Sequence, residues 1–135
     1  MRVFLDTNVL VSAFASRGLC ADLLEVVLLE HDLIVGQNVL RELRKALREK
    51  IKLPQARVSA VVDFVASEAV AVVDRAQPAD AKLTADDALV LGEAQGGQAT
   101  IFVTGDAALL KLRLFDGIAI VPPRGFWNAL QSARE

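Results

Sequence analysis

The chain has 135 residues, of which 53% are hydrophobic, and this length predicts one compact domain over residues 1–135 with a sizeable buried core. The net charge of −2 excludes a global positive field for nucleic acid, and the single cysteine, Cys20, excludes an internal disulfide. No apolar run approaches the roughly 20 residues of a membrane span, and Asp6 interrupts the opening too early for a signal peptide, so we expect a soluble, cytoplasmic protein.

Short hydrophobic runs alternate with longer amphipathic segments along the chain. Strands are predicted at residues 2–6, 33–35, 70–73, 100–104 and 118–121. Helices are predicted after Asp6, with Asp6, Thr7 or Asn8 as the cap, and over residues 21–30, 37–50, 54–65, 84–95, 107–112 and 126–130. This alternation predicts a three-layer α/β/α fold with a central parallel sheet of about five strands.

The segment 37–50 has the clearest helical periodicity. Its apolar face is formed by Val39, Leu40, Leu43, Ala46 and Leu47. The opposite face carries four basic residues, Arg41, Arg44, Lys45 and Arg48. Glu42 lies between the two faces, where a carboxylate on the flank of a buried stripe can reach a cleft.

Acidic residues recur where predicted strands end and helices begin. Asp6 and Asp106 each follow a strand, and residues 84–87 resemble a capping box that opens a helix. Each acid alone is explained as a helix cap or a surface carboxylate. Because the carboxyl ends of parallel strands meet at one edge of a sheet, we expect these acids to converge there.

Converging carboxylates require a positive partner. Two unit charges about 5 Å apart repel by roughly 3 kcal/mol at an effective dielectric of about 20. No lysine or arginine adjoins Asp6, Asp87 or Asp106 in sequence. The pattern therefore predicts a hard divalent cation such as Mg²⁺ or Mn²⁺, which takes oxygen ligands and supports displacement at a phosphodiester.

Several segments together resemble the PIN-domain signature, in order and across nearly the whole chain. They are Leu5–Leu10, Glu42, 87–90 and 103–106. The chain is similar in particular to bacterial VapC-like proteins, the toxin components of toxin–antitoxin pairs. The resemblance implies a PIN fold, Mg²⁺- or Mn²⁺-dependent cleavage of single-stranded RNA, and a cognate antitoxin protein as partner. We also expect a homodimer.

The resemblance also assigns roles to individual residues. It makes Asp6, Glu42, Asp87 and Asp106 the catalytic, metal-binding acids, with Thr7, Asn8 and Thr104 as supporting polar groups. Asp87 is preferred because Asp87-Ala88-Leu89-Val90 reproduces the family spacing. Asp86, kept as a supporting residue, points about 100° away on a helix. A further acid of the family is replaced here by Ala108 or Leu109, so a second metal position is expected to be weak.

Two surfaces have alternative interpretations. The four basic residues of segment 37–50 form either a solvated helix face or a contact for RNA phosphates beside Glu42. The apolar residues of 19–29 belong either to the core or to a homodimer or antitoxin interface.

Three alternative functions have their own sequence requirements. A haloacid-dehalogenase-like phosphatase needs a second acid where this chain has Asn8. A receiver-like domain needs an acid pair after the first strand and a lysine after the fifth, where Pro122-Pro123-Arg124 stands. A catalytically weak PIN-like module that binds RNA or protein remains the principal alternative, and it would lack metal-dependent RNA cleavage.

Overall fold

The computed structural model describes residues 1–133. The strands are β1 (Arg2–Leu5), β2 (Asp32–Gly36), β3 (Ala71–Val73), β4 (Ile101–Val103), β5 (Leu114–Phe115) and β6 (Ile118–Val121). The helices are α1 (Thr7–Ala15), α2 (Leu19–Glu30), α3 (Gln37–Glu49), α4 (Gln55–Glu68), α5 (Ala85–Gly96), α6 (Ala107–Leu110) and α7 (Pro123–Ala133). The sheet order is β3-β2-β1-β4-β6-β5, with helices on both faces, and the predicted α/β/α class is confirmed.

Strand β1 lies in the middle of the sheet because its side chains are apolar on both faces. Val3 pairs in parallel register with Leu33 of β2 on one side and with Ile101 of β4 on the other. Phe4 is fully buried, and its ring stacks on Phe102 with the centroids 5.1 Å apart. A continuous apolar run of this kind is typical of a strand covered by helices on both faces.

The structure contains one strand more than the five that were predicted. Leu114 and Phe115 form β5, which pairs antiparallel with β6 at the edge of the sheet. The two strands are joined by Asp116 and Gly117, which have φ angles of 49° and 79°. Two consecutive positive φ angles are the mark of a two-residue hairpin turn, and Asp-Gly is a typical sequence for it. The Asp116-Gly117 pair is therefore the sequence signal for this additional strand.

The other differences are small and lie at the ends of elements. The last helix begins at Pro123 rather than at residue 126, because proline is well suited to the first position of a helix. The amphipathic assignment of α3 is confirmed, since Val39, Leu40, Leu43 and Leu47 are buried. Within residues 1–133, none of the helices combines the length and the apolar character needed to cross a membrane.

Candidate active site

A cleft of about 620 Å³ opens at the edge of the sheet where β1, β2 and β4 end. Its walls come from α1, α3, α5 and the turn before α6. All four of the predicted catalytic acids line it, as do three of the predicted supporting residues. These seven are Asp6, Glu42, Asp87, Asp106, Thr7, Asn8 and Asp86.

Asp6 is held at the base of the cleft by hydrogen bonds to both carboxylate oxygens. It caps α1, and the Thr7 N–H donates to Oδ1 at 2.8 Å. The Thr104 hydroxyl donates to Oδ2 at 2.7 Å, and the Asn8 amide donates to the same oxygen at 3.2 Å. The orientation of Asp6 is therefore fixed by three groups from two neighbouring strand ends.

The environment of Asp6 favours its protonated form. Only 7% of the residue is exposed, and this burial raises the pKa of its carboxyl from 3.8 to about 6. The hydrogen bonds from Thr104 and Thr7 oppose that rise in pKa, whereas the negative charges of Glu42 and Asp87 add to it. A positive charge in the cleft would stabilise the ionised carboxylate.

Glu42 reaches the site from the second turn of α3. Its Oε2 accepts a hydrogen bond of 2.7 Å from the hydroxyl of Thr7. Thr7 thus binds Asp6 through its backbone N–H and Glu42 through its side chain. Thr7 therefore links the two acids.

The turn after β4 is joined to the turn after β1 by side-chain hydrogen bonds. Asn8 accepts a hydrogen bond from the Gly105 N–H at 3.0 Å. The Thr104 hydroxyl accepts one from the Asp106 N–H, also at 3.0 Å. Asp106 itself caps α6, where its Oδ1 accepts from the Ala108 N–H at 2.8 Å. The two strand ends therefore form one rigid polar unit.

Asp87 and Asp86 both line the cleft, but their surroundings differ. Thr84 caps α5 by accepting a hydrogen bond of 3.2 Å from the Asp87 N–H. Partial burial and then the charge of Asp106 raise the pKa of Asp87, and Glu42 adds to the effect. Asp86 is exposed. The electrostatic contacts therefore place Asp87 among the other acids.

The four predicted basic residues of α3 have different surroundings in the structure. Lys45 lines the cleft, together with Lys50, which the sequence analysis did not select. The Arg44 guanidinium instead donates a hydrogen bond of 3.4 Å to the Ser59 hydroxyl on α4. The Arg48 guanidinium lies 3.7 Å from the Glu49 carboxylate. Arg41 is exposed. Glu49 and Asp86 also line the cleft, so two lysines beside six acids give it a mixed rather than purely negative wall.

Oxygen donors dominate the site, as a hard divalent cation requires. The four acids supply carboxylates, and the width of the cleft leaves room for the water ligands that Mg²⁺ and Mn²⁺ retain. Within residues 1–133, no three acidic, histidine or cysteine side chains already surround a single point. The donor chemistry of the four acids fits such an ion.

Known proteins resemble this chain in sequence and in fold. The PIN domain family matches residues 2–108. Among solved structures, the chain is similar to one in the structure of VapBC2 from Rickettsia felis bound to a DNA fragment from their promoter. That similarity has 15% sequence identity and a TM-score of 0.65, and it covers 90% of this chain and 98% of the other. No curated protein matches.

The structural likeness shows a shared fold, and the family match extends from β1 into α6, across all the elements that carry the four acids. This chain therefore belongs to the PIN-domain family, whose members are nucleases.

Proposed function

We propose that this protein is a divalent-metal-dependent endoribonuclease that cleaves single-stranded RNA and is the toxin of a toxin–antitoxin pair. The observation that carries the proposal is the convergence of Asp6, Glu42, Asp87 and Asp106 from separate elements on one cleft. A structural cap needs one acid, whereas four acids in one cleft repel one another unless a cation balances them.

A bound Mg²⁺ or Mn²⁺ would neutralise charge on the scissile phosphate and lower the pKa of a coordinated water. Asp6, Asp87 and Asp106 would hold the ion, with Glu42 as a further ligand. Thr104 and Thr7 keep Asp6 and Glu42 in place through hydrogen bonds of 2.7 Å each. Lys45 and Lys50, which line the cleft, would bind RNA phosphates.

The partners belong to the same proposal. The structural neighbour is part of a VapBC2 complex, which supports an antitoxin protein as the partner of this chain. Most of the apolar excess of α2 is core, because Leu23, Leu24 and Val27 are buried. Leu29 is 76% exposed and remains available for a homodimer or antitoxin contact.

The decisive experiment incubates the purified protein with an unstructured RNA, with Mn²⁺ or with EDTA, beside Asp6→Asn. Asparagine keeps the size of Asp6 and one acceptor oxygen while removing the charge. We expect Mn²⁺-dependent cleavage by the wild type and a loss of several orders of magnitude in the variant. Full activity in Asp6→Asn would refute the site assignment, and RNA binding without cleavage by the wild type would favour the non-catalytic alternative.

A second measurement tests metal binding without cleavage. Saturation with Mn²⁺ at about 100 times its dissociation constant should stabilise the fold by roughly 2.7 kcal/mol. Thermal unfolding of the wild type and Asp6→Asn, each with Mn²⁺ and with EDTA, measures this gain. A melting temperature of the wild type that does not respond to Mn²⁺ would contradict the proposed metal site.

A further inference from the structure

Glu93 is a buried acid outside the cleft. It lies on α5, is only 1% exposed, and accepts two hydrogen bonds at Oε2 from Asn38. The backbone N–H of Asn38 is 2.8 Å away and its side-chain amide 3.2 Å away. Among residues 1–133, Oε1 has no hydrogen-bond partner. A carboxylate buried this completely requires a specific structural reason, because its desolvation is costly.

The reason lies at the start of α3. Helix α3 begins at Gln37 after Gly36, and glycine has no side chain with which to cap a helix. Cap side chains normally accept from the second or third N–H of the helix, which here belong to Asn38 and Val39. The Glu93 carboxyl group accepts a hydrogen bond from the Asn38 N–H and also interacts with the Val39 N–H. It therefore acts as the cap of α3 from a different helix.

Gly36 leaves open the space that the Glu93 carboxyl group occupies. A Cβ atom at position 36 would overlap the carboxyl group of Glu93, so any larger residue would displace that side chain. The absence of a side chain at position 36 thus admits the cap that α5 supplies. Glu93 and Gly36 form a complementary pair that joins α5 to the first turn of α3.

Both of the joined helices contribute residues to the lining of the cleft. Glu42 is one helical turn beyond Asn38 on α3, and Asp87 is in the first turn of α5. We propose that Glu93 is a positioning residue that fixes α3 against α5 and so sets the position of Glu42 relative to Asp87. This inference rests on the proposed function, because its purpose is the geometry of the cation site.

The position of Glu42 matters because a metal site tolerates little change in the geometry of its ligands. Mg²⁺ and similar ions bind oxygen at about 2.0–2.1 Å with little freedom in geometry. A small shift of α3 would move Glu42 and break its 2.7 Å hydrogen bond with Thr7. Replacement of a residue that hydrogen-bonds to a metal ligand typically changes metal affinity 10- to 100-fold. Glu93 acts on Glu42 through Asn38 and α3, so we expect an effect at the lower end of that range.

The test compares Glu93→Ala with Glu93→Gln, which keeps an acceptor oxygen for the Asn38 N–H. A control variant, Leu130→Ala, loses a buried side chain on α7, outside the cleft lining. Mn²⁺ affinity is measured by thermal-shift titration and by calorimetry. We expect Glu93→Ala to weaken Mn²⁺ binding about tenfold, Glu93→Gln to retain most of the affinity, and Leu130→Ala to retain it at a similar loss of melting temperature.

Equal affinities in Glu93→Ala and Leu130→Ala would overturn the inference. Should Glu93→Ala not fold, Asn38→Ala removes one of the two hydrogen bonds and leaves the backbone bond in place. A several-fold loss of Mn²⁺ affinity is expected there, and an unchanged affinity would equally overturn the inference.

Crystal structures of the metal-free wild type and variants test the role of Glu93 independently of the proposed function. The Glu42 carboxylate should be displaced, and its bond to Thr7 lost, in Glu93→Ala or in Asn38→Ala when compared with the wild type. An unmoved Glu42 would overturn the positioning role whatever the activity. A wild type without Mn²⁺-dependent cleavage would instead contradict the proposed function, and the position of Glu42 would still decide the role of Glu93.

Discussion

The hydroxyl of Thr104 lies 2.7 Å from Oδ2 of Asp6 and donates a hydrogen bond to it. Thr104 is fully buried and also accepts the Asp106 N–H at 3.0 Å. One hydroxyl therefore orients two of the four acids. Because β1 and β4 are neighbours in the sheet, this contact links residues that are 98 positions apart.

Replacing Thr104 by valine should destabilise the protein and raise the pKa of Asp6 above about 6. Valine has nearly the same shape but removes one of the three hydrogen bonds to Asp6 and leaves the Asp106 N–H without its acceptor. A buried polar group that loses its partner typically costs about 1–3 kcal/mol. Urea unfolding and NMR titration of Asp6 measure the two effects. Thr104→Ser, which retains the hydroxyl, should resemble the wild type, and equal behaviour of the two variants would contradict this role.

The stability of the metal-free protein should fall as the pH rises from about 4 to 6. The pKa of Asp6 is about 6 in the folded state and 3.8 in the unfolded reference, so the folded state binds more protons in this interval. Two pKa units correspond to at most about 3 kcal/mol. Asp87, whose pKa is also raised, contributes in the same direction.

The measurement is urea unfolding in EDTA at several pH values for the wild type and Asp6→Asn. The decline of the unfolding free energy with pH should be smaller in Asp6→Asn, because Asp6 no longer titrates and Asp87 still does. A slope of opposite sign in the wild type would mean that Asp6 is stabilised in its ionised form. With saturating Mn²⁺ the decline should disappear, since the cation binds the deprotonated acids.

Lys45 and Lys50 should contribute to RNA binding, whereas Arg48 should not. Both lysines line the cleft, whereas Arg48 is not among the lining residues and its guanidinium lies 3.7 Å from the Glu49 carboxylate. We expect Lys45→Ala and Lys50→Ala each to weaken RNA binding and to reduce the slope of log K against log salt by about 0.7. Fluorescence anisotropy with the Asp6→Asn protein measures binding without cleavage. An equal effect of Arg48→Ala would indicate a diffuse basic surface instead of two local contacts.

Ala108→Asp tests whether a ligand has been lost after Asp106. Ala108 is exposed, and its N–H already donates to Asp106, whereas Leu109 is fully buried and belongs to the core. A new carboxylate should lower the stability of the metal-free protein by adding repulsion. It should also lower the Mn²⁺ concentration needed for half-maximal cleavage. An unchanged or higher Mn²⁺ requirement would mean that the site uses four acids only.

Local sequence patterns determined most of the elements and the placement of two acids at the ends of strands. The buried run Val3–Leu5, the periodicity of α3 and the Thr84 cap are properties of neighbouring residues, and each was predicted correctly. Asp6 directly follows the apolar strand β1, and Asp106 follows β4 after two residues, so both were recognisable as acids at strand ends. The parallel order of strands then placed these two acids at one edge.

Only the tertiary structure showed which groups meet across elements. Nothing near Glu93 in the sequence indicates that it caps α3, because Asn38 is 55 residues away. The separation of Lys45 from Arg44 and Arg48 likewise depends on where α4 and the cleft lie relative to α3. Periodicity predicts the face of a helix, but contacts between helices depend on how the helices pack. The raised pKa of Asp6 has the same origin, since burial by distant segments is its largest cause.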